Sequence, residues 1–180
     1  MLTYQTLPEE VKNAYQRNIT TSVVFVTKDR RLRPMAFRRN LNAYVRSFAV
    51  KTDAQANVAA NNNLITVYDT NLFIKNKREL GDDAKAASVS YRRIILDTVV
   101  AFMVGGKVFD MRVENNIRER FGDEAYMGLT KNMAKQMKDD IINTDDNLEA
   151  VDNANIVNEI KILQKKLNTL LEIVHKKRII

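Results

Sequence analysis

The longest apolar run in the chain covers residues 89–104 and predicts two consecutive β-strands. Seven of its sixteen residues are β-branched. Such residues lose side-chain freedom in a helix but fit the pleated surface of a strand. The pair Asp97-Thr98 offers a break between the two halves. The alternative is a single helix, because four apolar residues recur at helical spacing, namely Tyr91, Ile95, Val99 and Phe102.

Apolar residues ahead of this run predict a β-hairpin and a third strand. Residues 22–27 form the first strand, residues 28–31 a polar turn and residues 32–37 the second strand. Pro34 has no N–H to donate, so the second strand should lie at a sheet edge or carry a bulge there. Residues 64–68 are the third strand.

Helices are predicted before and after the hairpin. Thr6 and Glu9 have the spacing of a capping box at the start of a helix over residues 7–17. Asn40 is expected to cap a second helix, over residues 41–60. The apolar face of that helix holds Leu41, Tyr44, Val45 and Phe48.

Polar residues after the third strand predict irregular structure. Residues 69–71 are typical of a turn, and the charged residues 75–83 predict an exposed loop. Further along, Asp110 is expected to cap a helix over residues 111–121 that ends at Gly122.

Two more helices are predicted near the C-terminus. Thr130 should cap the first, over residues 131–143, and its stripe of Met133, Met137 and Ile141 is typical of core packing. The second covers residues 155–178 and carries an apolar seam with the 4-3-4-3-4 spacing of a coiled coil. The seam residues are Ile156, Ile160, Leu163, Leu167, Leu170 and Val174. The seam either packs on the protein's own domain or meets a second copy or another partner.

Composition limits the chemistry of this 180-residue chain. It has no cysteine and one histidine, which excludes disulfides, thiolate metal sites and a zinc site built on histidines. The sequence shows no Ser-His-acid set, no phosphate-cradling glycine loop and no acidic metal cluster. We therefore expect no enzyme activity, no cofactor and no metal. The apolar runs of the sequence are too short to span a membrane, so we expect no membrane partner.

Positive charge is concentrated near the N-terminus. The net charge is +7, and residues 52–180 hold nineteen basic and nineteen acidic residues, so the whole excess lies in residues 1–51. Six basic residues lie between positions 28 and 39: Lys28, Arg30, Arg31, Arg33, Arg38 and Arg39. They are candidates for contact with nucleic-acid phosphates or an acidic partner. The alternative is that they keep an edge strand soluble.

Part of the chain resembles the small SH3-like β-barrel proteins of crAss-like Bacteroides bacteriophages. The residues that carry the resemblance are Val24-Phe25-Val26-Thr27-Lys28-Asp29, Leu32-Arg33, Ile65-Thr66-Val67-Tyr68-Asp69, Tyr91-Arg92-Arg93, Leu96-Asp97 and Val99. They fall within residues 22–104. The chain departs from that pattern at Arg30, where such families usually have glycine.

The resemblance implies a small SH3-like antiparallel barrel, which with the N-terminal and inserted helices would cover residues 1–109. The helical pattern of the later residues, which lie outside the resemblance, predicts a helical region over residues 110–180, so the expected fold class is α+β. The resemblance also implies a virion structural protein, such as a head-tail connector, ring or capsid-associated subunit. Such a subunit would form a homo-oligomer, bind other virion proteins and lie close to packaged DNA. A nucleic-acid-binding protein without sequence specificity is the alternative.

Overall fold

The computed structural model describes residues 2–41 and 63–178, and it shows an α+β protein. Its six strands form one antiparallel sheet in the order β4-β3-β2-β1-β5-β6. The strands are β1 (Thr21–Val26), β2 (Leu32–Arg38), β3 (Leu64–Asp69), β4 (Tyr91–Ile95), β5 (Val99–Val104) and β6 (Lys107–Asp110). The described helices are α1 (Glu9–Gln16), α2 (Thr70–Leu80), α3 (Asp83–Ser90), α4 (Ile117–Phe121), α5 (Asp123–Met127) and α6 (Lys131–Arg178).

By its contacts the chain divides into two compact units, Met1–Asp145 and Asp146–Ile180. The sequence placed its division after residue 109 instead. Residues 110–145 belong to the first unit because α4, α5 and the first turns of α6 supply apolar side chains to a layer of its core.

The predicted hairpin is confirmed by the pairing of β1 with β2, which sets Val24 opposite Pro34. On its other side, among the described residues, β2 pairs with β3 only at Phe37 and Arg38. In the described part of the chain Pro34 therefore faces a paired strand on one side alone, and such a local edge accommodates a residue without an N–H. A bulge does occur, but it lies where β1 pairs with β5: Val24 pairs with Ala101 and Phe25 with Val99, so the extra residue is Val100 of β5.

The central apolar run forms two strands, as its β-branched residues predicted. A 3-10 turn, Leu96–Thr98, separates β4 from β5 and contains the expected break. The strands pair with different neighbours, β4 with β3 and β5 with β1. The first residues of the run, Val89 and Ser90, belong instead to the end of α3.

The turn and the loop predicted after the third strand are wrong, because α2 begins there. The Asp69 carboxylate accepts a hydrogen bond from Leu72 N at 3.0 Å, so this residue caps a helix rather than forming a turn. Phe73 and Ile74 are buried, and the charged residues lie on the more exposed side. Gly81, at φ 63°, ends the helix in the left-handed conformation.

Two predicted helix starts are also wrong. Thr6 does not cap α1, since its Oγ1 accepts from Thr3 N at 2.9 Å and Pro8 occupies the cap position. Asp110 ends β6, and α4 begins only at Ile117, although Gly122 does end that helix. The helix predicted after Asn40 lies in residues 42–62, outside the described residues.

The two helices predicted near the C-terminus are one helix, α6. The Thr130 cap is confirmed by a hydrogen bond from Met133 N to Thr130 Oγ1 at 3.2 Å. Residues 144–154 contain neither glycine nor proline, so nothing in the local sequence interrupts the helix. Met137 is fully buried, which confirms that the methionine stripe packs into the core.

Both faces of the sheet are covered. On one face Val11 and Tyr15 of α1 pack with Val23, Phe37 and Phe102. On the other face, apolar residues of α4, α5 and α6 pack on the sheet: Val24, Val26, Ala101 and Met103 with Ile117, Ala125 and Met137. A closed SH3-like barrel is not confirmed, because β4 and β6 are the open edges of the described sheet.

Candidate functional site

The predicted basic cluster separates into two groups. Lys28, Arg30, Arg31 and Arg33 are exposed along the turn of the hairpin and the start of β2. Arg33 Nη2 lies 3.5 Å from Asp69 Oδ2. The other three side chains form no ion pair with any described residue, so their charge is open to an anionic partner.

Arg38 and Arg39 are partly buried and have partners within the protein. Arg38 donates from Nε to Thr20 Oγ1 at 2.7 Å and from Nη2 to Asp145 Oδ1 at 2.8 Å. The guanidinium of Arg39 lies 5.4 Å from the centre of the Tyr15 ring. These contacts stabilise the fold, and a role of either residue in binding remains a prediction.

A tight loop presents the hairpin charges. Arg30 N donates to Thr27 O and Thr27 N donates to Arg31 O, each at 2.9 Å. Arg30 closes the loop with φ 58°, the left-handed region that glycine adopts without a steric penalty. A side chain at such a position costs about 1 kcal/mol.

A pocket of about 530 Å³ lies beside this loop. Four basic side chains line it: Lys28 and Arg30 from the hairpin loop, Arg93 from β4 and Arg120 from α4. No acidic side chain of the described residues lines it. We call this site the cationic pocket.

Two threonines, Thr27 and Thr98, and five apolar side chains form the rest of the cationic pocket. Val26 and Ile94 are buried, Phe25 and Phe121 are partly buried, and Ile95 is 48% exposed. The pocket therefore combines a charged lining with an apolar wall, which suits an anion that also has an apolar part.

The guanidinium of Arg120 is positioned by backbone carbonyls. Its Nη1 donates to Asp97 O at 2.7 Å and to Asn115 O at 3.3 Å, and its central carbon lies 5.1 Å from the centre of the Phe121 ring. Neutral carbonyls orient the side chain without cancelling its charge.

Two neighbouring arginines, Arg112 and Arg118, differ from Arg120 because each lies against a carboxylate. Arg112 Nη2 lies 2.6 Å from Asp110 Oδ2, and the hydrogen bond to that carboxylate raises the pKa of the guanidinium. Arg118 Nε lies 2.8 Å from Asp123 Oδ1. Carboxylates offset both of these charges, whereas Arg120 keeps its charge available.

Sequence reasoning identified two of the four cations of the pocket and missed Arg93 and Arg120. Arg93 was counted within an apolar core run, although its alternation with the buried Ile94 in a strand indicates an outward side chain. For Arg120 no local signal existed, because the fold alone brings α4 beside the hairpin loop.

The apolar seam of α6 is the second candidate site. Ile156, Ile160, Leu163 and Leu167 are 47%, 48%, 63% and 57% exposed. The side chains of Leu170 and Val174 lie outside the described set. An apolar row at heptad spacing that stays exposed in a single chain is a surface for association.

Among the described residues, no group of three or more His, Asp or Glu side chains is placed to hold a metal ion. None of the helices in that part of the chain combines the length and hydropathy that a membrane span requires.

Comparison with models of protein families, with curated proteins and with solved structures finds no match. The resemblance to phage barrel proteins therefore rests on the residues quoted for it above.

Proposed function

We propose that this protein is a structural subunit of a virus particle, at the head-tail junction or on the capsid, and that it acts by assembling with copies of itself and with other virion proteins. The role is non-catalytic and needs no cofactor. The phage assignment and the virion location come from the resemblance.

The exposed seam of α6 is the observation that carries the assembly role. The seam lies in the part of α6 that belongs to the unit Asp146–Ile180. Covering the four described seam residues, each about half exposed, contributes roughly 3–6 kcal/mol per chain. A gain of this size is enough to drive association at micromolar concentration when several chains contribute.

The SH3-like barrel belongs to the same proposal. Its support is the succession of short antiparallel strands joined by tight connections, a loop between β1 and β2 and a 3-10 turn between β4 and β5. Small barrels are built from such strands.

The assembly role is tested by placing charges on the seam. The double variant Ile160→Glu/Leu167→Glu places two carboxylates on each helix, and therefore four in the interface between two helices. Repulsion among these charges should weaken the association by at least a hundredfold. Sedimentation velocity of the full chain measures it. We expect a dimer or a larger ring for the wild type and a monomer for the double variant.

Ile162→Glu is the matched control. Ile162 is 56% exposed on the same helix but lies outside the heptad seam. This variant should associate like the wild type. A wild-type chain that stays monomeric at 100 µM, or a control that loses association as the seam variant does, contradicts the proposal.

A second candidate function is electrostatic binding of nucleic acid by the hairpin. The observation in its favour is that Lys28, Arg30 and Arg31 are exposed without a carboxylate partner among the described residues. Phosphate contacts carry no sequence information and weaken steeply with salt.

The salt dependence of DNA binding tests this second function. In the variant R30Q/R31Q/R33Q, the slope of log K against log salt for duplex DNA should fall by about 2.7. The control K131Q/K135Q/K138Q removes the same number of charges from exposed positions on α6. An equal change in both variants contradicts a specific role for the hairpin.

A further inference from the structure

We infer that the cationic pocket binds a single unpaired nucleotide unit, with the phosphate against the basic residues and the base against the apolar wall. The inference extends the second candidate function, because it adds recognition of a base to contact with phosphates. It does not depend on the assembly role of α6.

The charge of the pocket fits a phosphate group. Arg93 is exposed and makes no ion pair or hydrogen bond through its side chain with any described residue. Arg120 keeps its charge while two carbonyls hold its guanidinium in place. Lys28 and Arg30 add two further cations from the opposite element. Guanidinium groups bind phosphate oxygens through paired N–H donors, so two arginines and their neighbours form a set that suits a phosphate.

The apolar part of the pocket fits a base. Phe25 and Phe121 contribute ring surfaces, and Ile95 remains 48% exposed at the wall. A base that lies on this wall covers the apolar surface, and every base has a face that can stack on a ring.

The size of the pocket selects an unpaired nucleotide. Its volume of about 530 Å³ lies within the range of about 300–1,000 Å³ that is typical of sites for small ligands. The bases of a duplex are stacked on one another, so a duplex cannot lay the face of a base on the apolar wall, and we expect its phosphates to contact the exposed hairpin outside the pocket. A free nucleotide and one nucleotide of a single strand are the two sources of the same ligand.

The inference is tested with the full-length chain and a fluorescein-labelled decathymidylate. Fluorescence anisotropy compares its affinity with that of a ten-base-pair duplex at the same salt concentration. We expect the single strand to bind about tenfold more tightly than the duplex. Arg93→Gln should weaken the single strand about tenfold and leave the duplex within twofold.

Arg31→Gln is the matched control, since Arg31 is an exposed basic residue of the hairpin that does not line the pocket. It should weaken the single strand and the duplex by the same factor. Phe121→Leu keeps an apolar residue but removes the ring, and it should weaken the single strand alone. Because Phe121 also packs on the core, its variant is compared only after thermal unfolding shows that it is folded.

Competition separates the two sources. If thymidine 5′-monophosphate displaces the labelled single strand from the protein at concentrations where inorganic phosphate does not, the pocket can bind a free nucleotide. If the monophosphate fails while the single strand keeps its advantage over the duplex, a nucleotide within a polymer is the ligand. Equal binding of strand and duplex, or an unchanged affinity in Arg93→Gln, overturns the inference and leaves the hairpin's electrostatic function standing.

Discussion

Arg30 places its positively charged side chain at the end of the hairpin loop at a cost in backbone conformational energy. The end of the hairpin loop requires a positive φ, which Arg30 supplies at 58°. Glycine is the residue that adopts this conformation most readily. This conformational cost at Arg30 agrees with the proposal that its side chain contacts an anionic partner.

Arg30→Gly should stabilise the protein by about 0.5–1 kcal/mol, because relief of the left-handed strain exceeds the added freedom of the unfolded chain. Urea unfolding measures the change. Arg31→Gly is the control, since Arg31 is equally exposed and does not have a positive φ. The control should lose stability or stay unchanged. A loss of stability in Arg30→Gly contradicts the assignment of strain.

Tyr15 joins α1 to β3 through one hydroxyl. Its Oη donates to Thr66 O at 2.9 Å, and the side chain is buried. Burial raises the pKa of Tyr15 to about 12, even though the nearby Arg39 favours the phenolate. The folded protein therefore holds the neutral phenol more strongly than the unfolded chain does.

Stability should fall at high pH because of this phenol. A pKa that is raised on folding contributes stability that is complete below the unfolded value of about 10 and is lost as pH rises toward about 12. The loss is about 2–3 kcal/mol. Urea unfolding between pH 9 and pH 11.5 measures it.

Tyr15→Phe should remove most of that pH dependence, at the cost of a lower stability at neutral pH. A smaller dependence of stability on pH should remain, because the pKa of Tyr68 is also raised, mainly by burial and secondly by the nearby Tyr91. Tyr4→Phe, a change in the ring that contacts Tyr15, leaves the Tyr15 phenol in place. It should change the pH profile only slightly, because burial, and not Tyr4, is the main cause of the raised Tyr15 pKa. An unchanged pH profile in Tyr15→Phe refutes the assignment.

At the scale of elements, the packing of α5 against β2 depends on a small residue. Gly128 follows α5 with φ −67°, which any residue adopts, so its backbone does not require glycine. A Cβ built there overlaps Leu32 Cδ1 and lies 3.1 Å from Glu124 O. Close approach of the helix end to the hairpin is therefore what selects glycine.

Gly128→Ala should destabilise the protein by about 1–2 kcal/mol, because the Leu32 side chain must move within a packed layer. The same substitution in a Leu32→Ala background should cost almost nothing. A double-mutant cycle by chemical unfolding measures the coupling between the two sites. Additive costs contradict a direct contact.

At the scale of the whole molecule, the two units differ in how they are stabilised. The unit Met1–Asp145 contains both apolar layers of the sheet. In the unit Asp146–Ile180, the described residues of the seam are exposed. A long helix with an exposed apolar face is marginally stable on its own and gains its stability from association.

A chain that ends at residue 154 should therefore stay folded and become monomeric. Differential scanning calorimetry at several concentrations measures the effect. By mass action the Tm of the full chain should rise with protein concentration, whereas the Tm of the shortened chain should not. Concentration-independent melting of both chains contradicts association through α6.

Local patterns in the sequence determined much of the fold. Alternation and β-branching identified β1, β2 and β3 and divided the central run at Asp97-Thr98, because these signals depend only on neighbouring residues. They failed at Asp69, where the same side chain serves equally well as a turn former and as a helix cap. Only the folded protein, in which Phe73 is buried, decided for the helix.

The candidate sites divide in the same way. The heptad spacing of α6 and the basic hairpin are local, so the sequence by itself determined both. The cationic pocket is not local, since Lys28, Arg93 and Arg120 come from segments far apart in the chain. Tertiary structure decided which cations pair with carboxylates and which remain open, because the distance between charges sets their interaction and only the fold sets that distance.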